Sequence, residues 1–322
     1  MLVKREAEAC LGKRPEEREI EELLDYGMVV IDKPKGPTTH QLADYVKGIL
    51  KIAKCGHSGS LDPGVTGVVA IGLGRSTKVV HNLLKAGKEY VCIMHVHKPA
   101  EKGAVKKAVE SFIGEIRQLP PVKSAVKRTE RTRKIYGIKI LEIQEQDVLF
   151  IVECEAGTYI RKLCHDIGRK LGVGAHMSEL RRTRVGLLDE SLAVSLQELA
   201  DAYAFWKEGD SAEIKRVLMP MERAVEHLPK IYVLDSTVES LTHGATLNVP
   251  GISKLYEGIE KGDKVAVMTL KGELIMTGIA QMSSAEMMKK DKGAAARPDR
   301  VFMEAVKAAR TQIDLTKNPQ VI

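Results

Sequence analysis

Apolar and polar positions alternate along residues 28–230 with periods that predict a mixture of strands and helices. The apolar run Met28–Ile31, which precedes a segment rich in proline and glycine, predicts a short buried strand. Between Thr39 and about Ile52, the spacing of Leu42 and Val46 predicts a helix. The same criteria predict strands over 68–71, 90–97, 139–141 and 148–154, and helices over about 77–85, 160–171, 196–207 and 212–218.

The pattern changes at Ile231, after which short apolar segments are separated by Gly and Pro. Val265–Leu270 and Leu274–Ile279 flank the turn Lys271-Gly272, which predicts a β-barrel-like module. We therefore predict an α+β fold, with a domain of strands and helices followed by this module, and place the boundary near Pro229. The predicted divisions are a charged N-terminal extension outside the core (1–27), a main domain (28–230), a C-terminal domain (231–303) and a tail (304–322).

Length and composition restrict the class of protein. The 322 residues exceed what one domain usually holds, and no apolar run approaches the roughly 20 residues that cross a bilayer. The residues after Met1 lack the apolar core of a secretory signal. The five cysteines are scattered, with no Cys-x-x-Cys pair, so neither a disulfide framework nor a zinc ribbon is expected. These features predict a cytoplasmic protein with reduced thiols.

The net charge of +7 is unevenly distributed. Residues 1–27 carry −3, residues 28–230 carry +9, residues 231–303 carry 0 and residues 304–322 carry +1. A positive excess confined to the main domain suits a polyanionic partner such as nucleic acid, although most Lys and Arg side chains are simply solvated.

A glycine-rich loop at residues 56–64 presents one carboxylate, Asp62, between Leu61 and Pro63. The loop is neither a phosphate-binding P-loop nor a dinucleotide fingerprint, because the Lys-Ser/Thr pair and the glycine spacing are absent. A lone carboxylate held in this way suits nucleophilic or acid–base chemistry better than metal binding. On spacing alone, however, Asp-Pro-Gly is more often an ordinary turn.

The sequence at residues 56–67, GHSGSLDPGVTG, resembles the signature of the TruB family of pseudouridine synthases. Other segments resemble the remaining motifs of that family in the same order, and together they span about residues 28–186. The resemblance implies a mixed-sheet pseudouridine synthase catalytic domain over residues 28–230. These segments are Asp32–Thr39, Lys88–Tyr90, Gly157–Arg161 and Gly174–Arg182.

The resemblance implies that the chain isomerises uridine to pseudouridine in RNA, with Asp62 as the catalytic nucleophile. Attack on C6 of the base and attack on C1′ of the ribose are both compatible with the sequence. Tyr90 is implied as a stacking surface for the base, and Arg161 as the cation that keeps Asp62 ionised. Tyr159 and Leu180 are implied as pocket walls. Without the resemblance, the apolar and aromatic residues would fit an ordinary core.

A uridine inside folded RNA must leave its stack to reach an active site, so we expect RNA contacts around the pocket. The segment Lys123–Lys139 has seven basic residues and one acid, Glu130. We interpret it as a loop that grips RNA, with a solvated charged loop as the alternative. Lys33 is expected at the pocket floor or phosphate path. The predicted RNA-binding residues are Lys33, His57, Lys123, Lys127, Arg128, Arg131, Arg133 and Lys134.

Within the family, residues 120–128 and 159–164 most resemble archaeal relatives of dyskerin, the catalytic subunit of H/ACA ribonucleoproteins. Residues 243–263 resemble a PUA domain, an RNA-binding module. The resemblance implies the H/ACA guide RNA, substrate rRNA and small proteins of the Nop10, Gar1 and L7Ae types as partners. No metal or organic cofactor is expected, because the isomerisation has no net redox change.

Two other functions are compatible with the motifs, besides guided modification of rRNA. One is a stand-alone tRNA pseudouridine synthase, and the other is a non-catalytic RNA-binding scaffold. The stretch Val96–Phe112 is short compared with bacterial members, which hold tRNA unaided, and this favours dependence on a guide. The intact set Asp62, Tyr90, Tyr159 and Arg161 disfavours the scaffold.

Overall fold

The structure is a computed structural model that describes residues 1–119 and 129–304. The chain divides into two units. The central unit consists of Val29–Gly72 and Val80–Val217, and the terminal unit consists of Met1–Met28, Leu73–Val79 and the residues from Leu218 onward.

Eighteen strands occur in the described part of the chain. They are β1 Leu2–Val3, β2 Gly27–Lys33, β3 Cys55–His57, β4 Thr66–Leu73, β5 Lys88–Val96, β6 Gly114–Gln118, β7 Arg131–Gln144, β8 Asp147–Cys154, β9 Ala175–Val185, β10 Leu188–Asp189, β11 Ala193–Val194, β12 Met219–Pro220, β13 Lys230–Val233, β14 Leu247–Asn248, β15 Ile252–Leu255, β16 Lys264–Met268, β17 Leu274–Ala280 and β18 Ala294–Val301.

The same described residues contain eight α-helices and six short 3-10 helices. The α-helices are α1 Ile20–Tyr26, α2 Thr39–Ile49, α3 Lys102–Glu110, α4 Ile160–Leu171, α5 Leu196–Lys207, α6 Ala212–Val217, α7 Asp235–Thr242 and α8 Ser284–Lys289. The 3-10 helices are Pro15–Glu17, Gly74–Lys78, Val80–Leu84, Glu190–Leu192, Met221–Val225 and Val249–Gly251. Across residues 1–119 and 129–304, no helix combines the length and apolar character needed to cross a bilayer.

The sheet of the central unit is mixed, as predicted. Its strands follow the order β11-β2-β4-β9-β5-β8-β7-β6, with β3 paired to β4 and β10 to β9. The β11–β2 and β4–β9 pairs are parallel, whereas β9–β5–β8–β7–β6 are joined by antiparallel pairs. Helix α4 packs on β9 and on α3, and α2 packs on α5. The loop that carries Asp62 therefore precedes a strand in the interior of the sheet.

Strands β4 and β9 come unusually close at Gly67. This residue has φ of +106°, and a Cβ atom placed there would lie 2.1 Å from the carbonyl oxygen of Arg182. Only glycine allows this backbone approach without displacing one strand. On the other side of β9, Arg182 is paired with Tyr90 of β5. The sheet register thus places the start of β4 beside Arg182 and Tyr90.

The terminal unit has a seven-stranded sheet in the order β1-β15-β13-β16-β17-β18-β14. Its core is formed by alternate apolar residues of the strands, among them Ile231, Val267 and Ile275. Helix α7 packs against β17. The predicted turn at Lys271-Gly272 joins β16 and β17, which are antiparallel. A β-barrel-like C-terminal module is confirmed.

The N-terminal residues are part of the terminal unit, so the prediction that they lie outside the core was wrong. Leu2 pairs with Leu255 of β15. The Oδ2 atom of Asp235 accepts hydrogen bonds from the backbone N–H groups of Cys10 (2.8 Å) and Leu11 (2.9 Å). Ile20, Leu23 and Tyr26 are buried. The prediction failed because this segment is rich in charged residues and its few apolar residues form the buried contacts.

Two other sequence predictions need correction. The helix predicted over 77–85 is replaced by the 3-10 helices Gly74–Lys78 and Val80–Leu84. Carbonyl groups of Leu83 and Leu84, which would continue an α-helix, accept hydrogen bonds from Lys88 instead. The segment Lys123–Lys139 is not a loop throughout, because β7 begins at Arg131.

Candidate active site

Hydrogen bonds to Thr39 and within the turn hold the loop around Asp62. The Oγ1 atom of Thr39, at the start of α2, accepts a hydrogen bond from the N–H of Leu61 at 2.8 Å. It also donates to the Leu61 carbonyl at 3.3 Å. The N–H of Val65 donates to the Asp62 carbonyl at 2.9 Å, which closes the turn. Asp62 is therefore fixed by its neighbours while its carboxylate remains exposed.

Lys33 supports this loop from below. Its ammonium group donates to the carbonyls of Pro34 (2.9 Å), Pro63 (3.2 Å) and Val65 (2.8 Å), and the last two directly follow Asp62 in the loop. Burial and the Arg182 guanidinium lower the pKa of Lys33, while Asp62 opposes the shift. Lys33 is fully buried, which is at odds with its prediction as an RNA contact, and its place at the pocket floor stays a prediction.

Arg161 forms the ion pair with Asp62 that the sequence predicted. Its Nη2 atom lies 2.5 Å from Oδ2 of Asp62, and the two side chains are 60% and 59% exposed. Arg161 lies in the first turn of α4, where the helix dipole disfavours a cation. The side chain of Gln118 fixes the start of that helix by bonding the backbone N–H (2.9 Å) and carbonyl (3.1 Å) of Tyr159.

A buried arginine, Arg182, lies beneath the loop and was assigned no role from sequence. Its Nε donates to the Val68 carbonyl at 2.8 Å, and an Nη atom donates to the Gly59 carbonyl at 3.4 Å. It also forms a hydrogen bond with Tyr90, and burial lowers the pKa of Arg182. Burial likewise raises the pKa of Tyr90, which stays a neutral phenol. The only sequence signal for Arg182 was its position at the end of the last family motif, Gly174–Arg182.

Lys88, Lys33 and Arg182 form a group of three buried cations below the exposed carboxylate of Asp62. The Lys88 ammonium group donates to the carbonyls of Leu83 (2.9 Å), Leu84 (2.8 Å) and Ala86 (2.7 Å). Burial, followed by the Arg182 guanidinium, lowers the pKa of Lys88 to about 8. Arg182 has no carboxylate partner within the described residues, so this region favours anionic groups.

The lowered pKa of Lys88 predicts that its contribution to stability increases with pH. Between pH 8 and the ordinary lysine pKa, the unfolded chain binds more protons than the folded one, so the free energy of unfolding rises with pH. The free energy of unfolding of the wild type should increase by about 1 kcal/mol relative to that of Lys88→Met between pH 8 and pH 9. Urea unfolding at both pH values measures it. Parallel pH dependences for the two proteins would contradict this result.

His57 lies at the start of the loop with its tautomer set by the backbone. Its Nδ1 accepts a hydrogen bond from the N–H of Gly59 at 3.3 Å, which leaves the proton on Nε2. The ring of His40 stands edge-on to it, with ring centroids 4.7 Å apart. Burial, followed by His40, Arg182 and His81, lowers the pKa of His57. A neutral His57 offers an Nε2–H donor, consistent with its predicted RNA contact.

Tyr159 and Leu180 are half-buried residues on elements that also carry site residues. Tyr159 precedes the first residue of α4, two positions from Arg161. Leu180 lies on β9 opposite Cys92, two positions from Arg182. Their assignment as pocket walls stays a prediction.

Six of the seven basic residues in the Lys123–Lys139 segment were predicted to bind RNA. The structure describes three of these six, because Lys123, Lys127 and Arg128 lie outside the described residues. Arg131, Arg133 and Lys134 are on β7. Arg133 lies 3.5 Å from Glu155 and also bonds the carbonyl of Thr132. Lys134 is exposed. These three residues remain predicted RNA contacts on an extended strand.

Four family profiles match successive parts of the chain. A DKCLD (NUC011) domain matches residues 1–43, and the N-terminal domain of TruB family pseudouridylate synthase matches residues 47–160. The C-terminal domain of tRNA pseudouridylate synthase B matches residues 161–226, and a PUA domain matches residues 229–302.

The chain is also similar to curated proteins over nearly its whole length. It is 53% identical to the "Probable tRNA pseudouridine synthase B" of Methanosarcina barkeri, over 91% of this chain and 87% of the relative. It is 54% identical to the protein of the same name from Pyrococcus abyssi, over 91% of this chain and 88% of the relative. The chain belongs to the TruB family of pseudouridine synthases. It is an enzyme of the TruB type, and the predicted family is confirmed.

Solved structures of TruB-family proteins in complexes share this fold. A Cbf5–Nop10–Gar1 complex contains a chain that is 50% identical, with a TM-score of 0.91 over 95% of both chains. The chain in a structure of an H/ACA RNP bound to a substrate RNA containing 2′-deoxyuridine is 48% identical, with a TM-score of 0.89 over 95% of both chains. These matches confirm a TruB-type catalytic domain with a C-terminal PUA domain.

Proposed function

We propose that this TruB-family enzyme converts uridine to pseudouridine in rRNA under the direction of an H/ACA guide RNA. The observation that carries the proposal is the exposed Asp62 carboxylate, held by Arg161 above a buried, positively charged floor. Similarity to the chain in an H/ACA RNP bound to a substrate RNA, over 95% of both chains, supports dependence on a guide.

In the proposed reaction, the bond between N1 of uracil and C1′ of the ribose breaks, and a bond between C5 and C1′ forms. C5 loses a proton and N1 gains one, so no oxidant or reductant is needed. Asp62 acts as the nucleophile, and the hydrogen bond from Arg161 positions its carboxylate. Tyr90 provides a face for the detached base, and its hydrogen bond with Arg182 fixes the ring. Tyr159 and Leu180 enclose the pocket.

The proposed partners are the guide RNA, the substrate rRNA and small proteins of the Nop10, Gar1 and L7Ae types. Similarity to structures that contain Nop10 and Gar1 supports the first two proteins. We assign catalysis to residues 28–230 and guide-RNA binding to residues 231–303, in agreement with the PUA match at 229–302. We place the enzyme in the cytoplasm.

Stand-alone modification of tRNA is a second candidate function. The curated relatives carry the name tRNA pseudouridine synthase B, which favours tRNA as an additional substrate. The non-catalytic scaffold does not fit a chain that retains the Asp62–Arg161 pair within this enzyme family.

The test is conversion of uridine to pseudouridine by the purified protein in a guide-matched RNA, with and without guide RNA and the small proteins. We expect conversion only when the guide is present, because the guide positions the target uridine. Bare tRNA is the parallel substrate, and Asp62→Ala is the background control. Conversion of the guide-matched RNA at equal rates without a guide would contradict guide dependence, and conversion of bare tRNA would establish the second function.

A further inference from the structure

The outward face of β13 and β15 carries two lysines and two tyrosines in alternation. Tyr232 of β13 is directly opposite Lys254 of β15. The N–H of Tyr256 donates to the carbonyl of Lys230 at 2.9 Å, which brings the second pair together at the end of the strands. The intervening residues Ile231, Val233 and Leu255 point into the core of the terminal unit. We call Lys230, Tyr232, Lys254 and Tyr256 the β13–β15 face.

Each lysine of this face lies over an aromatic ring and not beside a carboxylate. The Nζ atom of Lys254 is 4.8 Å from the ring centroid of Tyr232, and that of Lys230 is 5.3 Å from the ring centroid of Tyr256. Within residues 1–119 and 129–304, neither lysine forms an ion pair. Lys264 and Lys290 of the same unit, by contrast, are paired with Asp299 and Glu286.

The two tyrosines are fixed relative to each other. A hydrogen bond joins the phenols of Tyr232 and Tyr256, and burial followed by this contact raises the pKa of Tyr232. Tyr256 remains 38% exposed. Two tyrosine rings and two lysines without a carboxylate partner are therefore held on one surface, so that ordering them on binding has little further cost in side-chain entropy.

We propose that the β13–β15 face binds a single-stranded segment of RNA. Unpaired lysines suit backbone phosphates, and exposed tyrosine rings suit stacking of bases that are not in a duplex. An acidic peptide would form ion pairs with the lysines but would have no bases to stack on the tyrosine rings. This inference rests on the proposed function, which supplies an RNA partner, and it gives a local site to a C-terminal domain whose net charge is 0.

The test measures binding of a fluorescently labelled single-stranded oligouridylate to the full chain by anisotropy, from about 50 mM to about 200 mM salt. The double variant Lys230→Ala/Lys254→Ala should bind at least about tenfold more weakly at the lower salt concentration. The slope of log K against log salt should fall by about 1.4, because each single-strand phosphate contact contributes about 0.7. Tyr256→Leu should weaken binding about tenfold with an unchanged slope, because it removes stacking alone.

The matched control is Lys264→Ala/Lys290→Ala, which removes the same charge from the same unit but from lysines that already have carboxylate partners. This control should change the slope of log K against log salt by less than half of the change expected for Lys230→Ala/Lys254→Ala. Equal effects of the two double variants would overturn the proposal, because binding would then depend on overall charge alone. Competition by oligoglutamate together with no effect of Tyr256→Leu would also overturn it, in favour of an acidic peptide.

This binding assay does not depend on turnover. A protein that fails to convert uridine, yet shows the predicted loss of affinity, would refute the proposed function and support the face. If the protein converts uridine and all variants keep the wild-type salt slope, the proposed function would be supported and the β13–β15 face would be refuted as an RNA-binding site.

Discussion

Asp62→Ala should reduce formation of pseudouridine by at least about 10³-fold, because the variant lacks the proposed nucleophile. Folding should be preserved, since the Asp62–Arg161 pair is more than half exposed and pairs of this kind contribute less than about 1 kcal/mol. Guide-RNA affinity should change by less than about twofold, because phosphate contacts dominate it. Single-turnover conversion of guide-matched RNA is the measurement.

The control for this variant is Asp44→Ala. Asp44 is an exposed carboxylate of the same unit that is also paired with a cation, Lys47. Its removal should leave turnover unchanged. If Asp62→Ala retained a tenth of the wild-type rate with normal RNA binding, the carboxylate would not be the nucleophile.

Arg18→Met should destabilise the terminal unit by about 3 to 5 kcal/mol. Arg18 is buried, and its guanidinium contacts both carboxylate oxygens of Glu222 at 2.7 and 2.9 Å and Glu273 at 3.5 Å. These carboxylates pull the pKa of Arg18 upward against the effect of burial. Without the cation, two buried negative charges remain close together. Native-state hydrogen exchange of the β16–β17 amides measures the loss.

A triple variant separates the charge effect from lost packing. Adding Glu222→Gln and Glu273→Gln to Arg18→Met should recover at least about 1 kcal/mol, because amides remove the repulsion and keep an acceptor for the Leu274 N–H. Lys290→Met, which removes a surface pair of the same unit, should cost less than about 1 kcal/mol. A triple variant less stable than Arg18→Met would show that repulsion is not the cause.

Features encoded in contiguous residues were predictable from the sequence. The Asp62 loop is one segment bounded by glycine and proline, and its pairing with Arg161 followed from two family motifs. The strand and helix positions around them followed from apolar periods of 2 and 3.6, which reflect burial on one face. The C-terminal module was predictable from its short apolar segments separated by Gly and Pro, and these segments include the core residues Ile231, Val267 and Ile275.

Features that depend on tertiary environment were not predictable. Lys33, Lys88 and Arg182 look like surface cations in sequence, and only the carbonyls that surround them reveal that they are buried. The prediction of a helix over 77–85 was wrong for a related reason. The Lys88 side chain donates hydrogen bonds to carbonyl groups that would accept backbone hydrogen bonds in a longer helix.

The pairing of β1 with β15 imposes an order on the folding of the nascent chain. Leu2 pairs with Leu255, so the terminal unit cannot complete its sheet until nearly the whole chain has been synthesised. At about 5 to 20 residues per second, the N-terminal segment waits roughly 10 to 50 s for its partner strand. Its surplus of charged residues keeps it solvated during that interval. The central unit can therefore fold first, and the last segments to leave the ribosome provide the sheet to which the N-terminus adds.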